Sequence, residues 1–295
     1  MSLIRPRSAA LLLAPAVLAI VVFMALPLLL ALAVSFMTAD TYGGAHLPLT
    51  FSAYVQLLFE QDFDESWAFT ASYLQIFVRS TLLAIAATLL TLLFALPVAW
   101  HIVCQRPEVR SLMLFAITLP FWTNLLIRTY CWVLILRDHG LVNQLLVGSG
   151  VVSAPVALLY NNGAVLLGLV YSFLPFMVLP IYSTLERMDT RLIEASHDLY
   201  AGRIQTLLNV VWPAAKPGAA AGAILVFAPA LGAFVTPDLL GGGKVMLIGN
   251  LIQNQFSSAR NWPFGAAVAI ILTAIVLAAI WVQTKRESRM GEERT

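Results

Sequence analysis

The chain is short of charge. Of its 295 residues only 11% are Asp, Glu, Lys or Arg, while 60% are hydrophobic, and the mean hydropathy is +0.86. A soluble domain of ordinary composition carries about 25% charged residues. So little charge excludes a single water-soluble core and points to a polytopic membrane protein. A net charge of +2, with no basic run interleaved with aromatics, argues for no nucleic acid partner.

Histidine and cysteine are scarce too. Four scattered histidines offer no metal-ligand spacing, and no HExxH occurs. Cys104 ends one apolar run and Cys131 lies within another, so the pair reads as unpaired thiols. Ser196-His197-Asp198 resembles a catalytic triad only in print, because adjacent residues on a helix point in different directions. Gly241-Gly242-Gly243-Lys244 is not a phosphate loop: no Ser or Thr follows the lysine, and Asp238 stands where the first glycine belongs. It reads as an outer turn. With no catalytic set, metal site or nucleotide loop, any energy must come from another chain.

What is present is a series of long apolar runs. The first, Ala9–Phe36, is about 28 residues long, too long for a cleaved signal core of roughly 7–15 and sufficient for a span of about 20. Pro15 and Pro27 are expected to bend it. Residues 37–72 carry Asp40, Glu60, Asp62, Asp64 and Glu65 but no Lys or Arg, and Phe51–Phe59 has the spacing of a surface helix. Further spans are read at Tyr73–Val103, Ser111–Leu136, Gly163–Leu185, Pro217–Leu240 and Pro263–Val282. Short helices are read at Leu141–Val147 and Leu247–Phe256. The organisation is a first helix with an outer segment (1–72), a five-helix core (73–285) and a tail (286–295).

Lys and Arg gather on cytoplasmic loops. With both termini inside, the inner segments hold twelve of them and the outer ones five: Arg79, Arg128, Arg137, Lys244 and Arg260. The polar interruption 186–216 is therefore cytoplasmic. It mixes four acids with four bases, and its apolar residues Leu185, Met188, Leu192, Ala195 and Leu199 recur at helical steps. Asp189 can cap the helix start. An amphipathic hairpin there suits a surface that receives force from a partner.

Glu194-Ala195-Ser196-His197-Asp198-Leu199, then Gly202, Pro213 and Pro217-Gly218, resemble the EAA loop of ABC importer permeases. Four further segments are similar to the spermidine/putrescine type of that family: Leu119-Pro120-Phe121-Trp122-Thr123-Asn124 with Ile127-Arg128-Thr129-Tyr130; Thr236-Pro237-Asp238-Leu239-Leu240-Gly241-Gly242; Ile248-Gly249-Asn250-Leu251-Ile252 with Gln255-Phe256; and Asn261-Trp262-Pro263-Phe264-Gly265. The resemblance covers most of the chain from Tyr73 onward. It implies an all-α membrane protein of six transmembrane helices with the type I ABC importer permease fold, in a bacterial inner membrane. It also implies a heterodimer with a second permease subunit, two cytoplasmic ATPase subunits that bind ATP and Mg, and an external substrate-binding protein. The resemblance further implies that this chain binds no cofactor of its own and is not an enzyme. The loop would dock into the ATPase through Glu194, Ala195, Asp198, Leu199, Tyr200 and Gly202. One position departs: the family's glycine after the leucine is Tyr200 here. Either the turn moves to Gly202, or Tyr200 takes a negative-φ turn.

A polyamine cannot enter hydrocarbon unaccompanied, so its path must offer acids, carbonyls or aromatic faces. Asp238, at the end of an apolar span, is the candidate acid for the outer end of the path. Trp122, Asn124, Tyr130, Tyr171 and Phe173 are candidate lining residues. Arg128 interrupts a span and calls for a partner: Asp138, Asp238, an acid of a second subunit, or water reached by snorkelling. It would equally suit a permease for an organic anion or an iron complex. A self-sufficient channel or membrane enzyme would need clustered polar residues within the spans, which the sequence lacks.

Overall fold

The structure, a computed structural model, describes residues 6–40, 42–61, 67–189 and 191–292. Arg5, Asp62, Asp64, Glu65 and Arg294, which entered the charge reading, lie outside them. Helix dominates because backbone in hydrocarbon must satisfy its own hydrogen bonds. Helix α1 runs Pro6–Ser35 and is continuous through Pro15 and Pro27. The hairpin β1 (Met37–Ala39) and β2 (Ala45–Leu49) follows, then helix α2 (Ser52–Val55) and a second hairpin, β3 (Phe59–Gln61) and β4 (Trp67–Phe69). Next come α3 (Ser72–Val103), α4 (Pro107–Trp122), α5 (Leu125–Leu136) and α6 (Leu141–Gly148). After them lie α7 (Asn162–Leu185), α8 (Arg191–Asp198), α9 (Arg203–Thr206) and a π turn at Leu207–Val211. The chain closes with α10 (Trp212–Leu231), α11 (Val235–Gly241), α12 (Ile248–Ser257) and α13 (Trp262–Glu292).

Five of the described helical runs are long and apolar enough to cross a membrane, and a bent pair brings the number to six. That pair corrects the reading of Ser111–Leu136 as one straight span. Helix α4 stops at Trp122, and the helical run that starts with α5 leaves at 91° to it. The expected surface helix Phe51–Phe59 is corrected as well. Only Ser52–Val55 is helical, while Phe59 pairs with Phe69 across β3 and β4, the rings 6.0 Å apart. Aromatics favour such cross-strand pairing over a short exposed helix. The fifth span starts earlier than Pro217 and stops earlier than Leu240, since the helical run extends from Arg203 to Leu231.

Contacts divide the chain into two compact units. The first joins the chain up to Leu74 with Leu251–Ala274. Phe36 packs on the rings of Phe51 and Tyr54, and the Tyr54 hydroxyl is 2.8 Å from Ser35 Oγ. Asn261 Nδ2 donates to Gln56 Oε1 at 3.2 Å, and the Tyr73 and Phe264 rings lie 4.9 Å apart.

The second unit, Gln75–Asn250 with Ile275 onward, is built on α7 and α10. Met177, Val178, Ile181, Leu185, Val211 and Val226 are buried between and beside them. The helices approach closely because α10 presents Gly218 and Gly222 to α7. A Cβ at Gly218 would strike Pro180 O and Ile181, and one at Gly222 would strike Met177. Small residues let backbones in a membrane meet without side chains between them. At one end of α7, Glu186 Oε1 accepts from Tyr182 Oη at 2.6 Å and from Arg110 Nη1 at 3.2 Å. Arg110 Nη2 also donates to Val103 O at 2.8 Å, which ties the α3–α4 turn to the start of the polar interruption.

Candidate functional site

Two helix breaks face one cavity. At the first, Thr123 turns extended after α4, and the Asn124 side chain caps α5 by accepting from the Leu126 N–H at 2.8 Å. The Pro120 carbonyl, no longer used by a continuing helix, accepts from Thr123 Oγ1 at 2.7 Å and from Arg128 Nη1 at 2.8 Å. At the second break, between α10 and α11, Pro237 has no N–H to offer the carbonyl of Ala233 four residues back. The Phe234 carbonyl there accepts from the buried Asn250 Nδ2 at 2.9 Å. Between the breaks lies a cavity of about 420 Å³ whose walls include Thr123, Arg128, Ser172 and Thr236 as polar groups and Phe121 and Phe173 as aromatic ones. Ser172 lies near the midpoint of the 24-residue α7, about 15 Å along it at 1.5 Å per residue, so the cavity sits at mid-span depth. Discontinuous helices at that depth leave backbone groups and dipole ends available to a polar or charged ligand.

Arg128 is half-buried on this wall. Its guanidinium carbon is 5.9 Å from the centroid of the Tyr171 ring, and its Nε is buried without a hydrogen-bond partner. It is joined neither to Asp138 nor to Asp238. Of the sequence candidates, Phe173 lines the cavity, and Tyr171 stands behind Arg128, edge-on to Trp132 at 5.4 Å. Asn124 serves as the α5 cap. Trp122 is 83% exposed, Tyr130 is also exposed, and Asp238 is exposed in the first turn of α11. None of these last four is on the cavity wall. Ser172 was missed by sequence reasoning, and Phe121 and Thr236, though part of the family-like segments, were not read as lining residues. The signal available for the breaks was Pro120 followed by the capping residue Asn124, and Gly232 followed by Pro237.

The polar interruption forms a second exposed feature. Asp189 Oδ1 accepts from the Arg191 N–H at 2.9 Å, as its capping role requires. The apolar stripe turns inward only at its start, where Leu185 is buried and Met188 packs against the core; beyond it the stripe is exposed. In α8 only Ser196 is buried, while Leu192, Glu194, Ala195 and Asp198 are exposed. Ser196 Oγ meets Thr206 Oγ1 at 3.0 Å, which pins α8 to α9. Leu199 is 82% exposed, Tyr200 96% and Ile204 73%, so three large apolar side chains crown the turn. Tyr200 has φ 57, which corrects both expectations for it. The turn has not moved, and its φ is positive. The Ala201 N–H reaches Ser196 O at 3.0 Å and the Tyr200 N–H reaches His197 O at 2.9 Å. These two bonds define a Schellman ending with its left-handed residue at 200. Gly202 instead starts α9, and its N–H donates to Gln205 Oε1 at 3.0 Å.

A membrane bundle with broken helices around a mid-span cavity, and a polar hairpin with an uncovered apolar crown, defines a transport permease. Residues 68–292 match the family of binding-protein-dependent transport system inner membrane components, and the chain belongs to that family. It is similar to the spermidine/putrescine transport system permease protein PotB of Haemophilus influenzae, 42% identical over 263 residues that make up 89% of this chain and 88% of that one. The PotB protein of Escherichia coli strain K12 is 39% identical over 271 residues, 92% and 94% of the two chains. Among solved structures, a bacterial ABC transporter involved in import of the acidic polysaccharide alginate has a chain that superposes with a TM-score of 0.73. It covers 94% of both chains at 16% identity and bears on the fold alone.

Proposed function

We propose that this chain is a permease subunit of an ABC importer for spermidine and putrescine. The observation that carries the reading is the 39–42% identity, along about nine-tenths of the chain, to permeases of spermidine/putrescine transport systems. The chain pairs with a second permease, takes its solute from an external binding protein and keeps both termini in the cytoplasm. ATP is hydrolysed by two partner subunits, and the hairpin of α8 and α9 transmits their movement. Leu199, Tyr200 and Ile204 fill an apolar cleft there, with Glu194 and Asp198 on the rim. Exposed apolar groups ringed by charge are what such a contact requires. Glu194→Arg is predicted to weaken co-purification of the ATPase and to lower uptake; intact co-purification together with full uptake would sink this docking role.

Arg128 on the cavity wall favours a second reading, a small anionic solute. One assay separates the two. Cells expressing the whole importer, with and without this chain, take up radiolabelled putrescine in competition with unlabelled spermidine or an anion such as sulfate. The polyamine reading predicts uptake that depends on the chain and is blocked by spermidine alone.

A further inference from the structure

Behind Arg128, which lines the cavity, stand two groups that suit a cation. The Pro120 carbonyl stands near the C-terminal end of α4, the negative end of that helix dipole. The Tyr171 ring offers its negative face beside it. A carbonyl at a broken helix end and an aromatic face are the groups an alkylammonium needs when no carboxylate is at hand, and among the described residues no carboxylate lines the cavity. In this structure Arg128 is the cation on both groups, sharing the Pro120 carbonyl with the N–H and hydroxyl of Thr123.

That occupancy is loose. A guanidinium has five N–H donors, and the one hydrogen bond described for the Arg128 guanidinium is that to Pro120, while its buried Nε has no partner. Among the described residues of the wall no acid holds it. It projects from the first turn of α5, a separate half-helix. A polar group buried without its full set of partners is held weakly against a competitor that satisfies the site better.

We infer that Pro120 and Tyr171 form an alkylammonium seat that Arg128 fills between transport cycles. The tethered guanidinium repels a free cation from the mid-span cavity, since like charges close together in a partly dry site disfavour each other strongly. Rearrangement at the two helix breaks withdraws Arg128, an ammonium group of the solute takes its place, and Arg128 returns when the solute leaves. Arg128 is thus a positioning residue that sets ion selectivity at rest. The ligand class rests on the polyamine reading above.

The test uses the whole importer, both permeases with the ATPase pair, in liposomes loaded with radiolabelled putrescine and given neither ATP nor binding protein. Arg128→Ala is expected to raise efflux about tenfold over wild type, the scale of one charged hydrogen bond. Excess guanidinium should suppress that rise by refilling the seat, Arg128→Lys should stay near wild type, and trapped sucrose should be retained throughout. Unchanged efflux, equal leakage of sucrose, or no effect of guanidinium would each overturn the inference. If Arg128→Ala fails to assemble, Tyr171→Leu, which removes the ring face and keeps the arginine, must raise putrescine efflux or the seat is refuted. Choline loading keeps the two claims apart. Choline efflux that rises in Arg128→Ala supports the seat even where wild type takes up no putrescine, and that failure of uptake would count against the polyamine reading alone.

Discussion

Tyr200 shows how a single position can be held against its own preference. Its left-handed φ costs about 1–2 kcal/mol for a residue with a Cβ, yet the bonds from Tyr200 to His197 and from Ala201 to Ser196 fix the turn whatever stands there. Tyr200→Gly should remove that strain and slow hydrogen exchange of the amides of residues 195–201 by about fivefold, the equivalent of ~1 kcal/mol. It should also weaken ATPase binding through loss of the exposed ring. Exchange unchanged or faster than wild type would show that the backbone is not strained. From the sequence, the motif located the position and the missing glycine. The sign of φ was not legible there, because tyrosine itself favours negative φ and only the two backbone bonds of the folded turn show otherwise. Arg128 illustrates the converse. Its placement inside a span was plain from the sequence, but its partner was not, since a proline carbonyl released by a helix break carries no signal of its own.

The elements were legible wherever apolar length decides. The spans α3, α7 and α13 begin within a residue or two of their expected starts because about 20 apolar residues leave few alternatives. The breaks were not read, although Pro120 with Asn124 and Gly232 with Pro237 are stop and start signals, because a continuous apolar run masks them. The hairpins after α1 were also missed, their strands being only three to five residues long. The contact of α7 with α10 had a sequence sign in Gly218 and Gly222, spaced as GxxxG. Gly218→Val must push α7 and α10 apart, and over-packing of this kind costs about 1–3 kcal/mol. The expected outcome is a lower melting temperature of the detergent-solubilised subunit and poorer assembly. Melting at the wild-type temperature would mean that the close approach contributes little.

At the scale of the whole molecule, the scarcity of charge predicted a membrane protein, and the absence of a nucleotide site predicted a partner that supplies energy. On the proposed reading, the uncovered crown of Leu199, Tyr200 and Ile204 is where that partner would push, and the mid-span cavity is where the solute would pass. The polyamine itself could not be read from acids in the chain, since Asp238 lies off the cavity wall. The most direct measurement is accumulation of labelled putrescine in liposomes that hold the complete importer and its binding protein, with ATP present on the ATPase side. Wild type should accumulate putrescine against its gradient, spermidine should compete and sulfate should not, and Leu199→Asp should abolish accumulation. ATP hydrolysis without putrescine accumulation, or accumulation blocked by sulfate rather than by spermidine, would contradict the account.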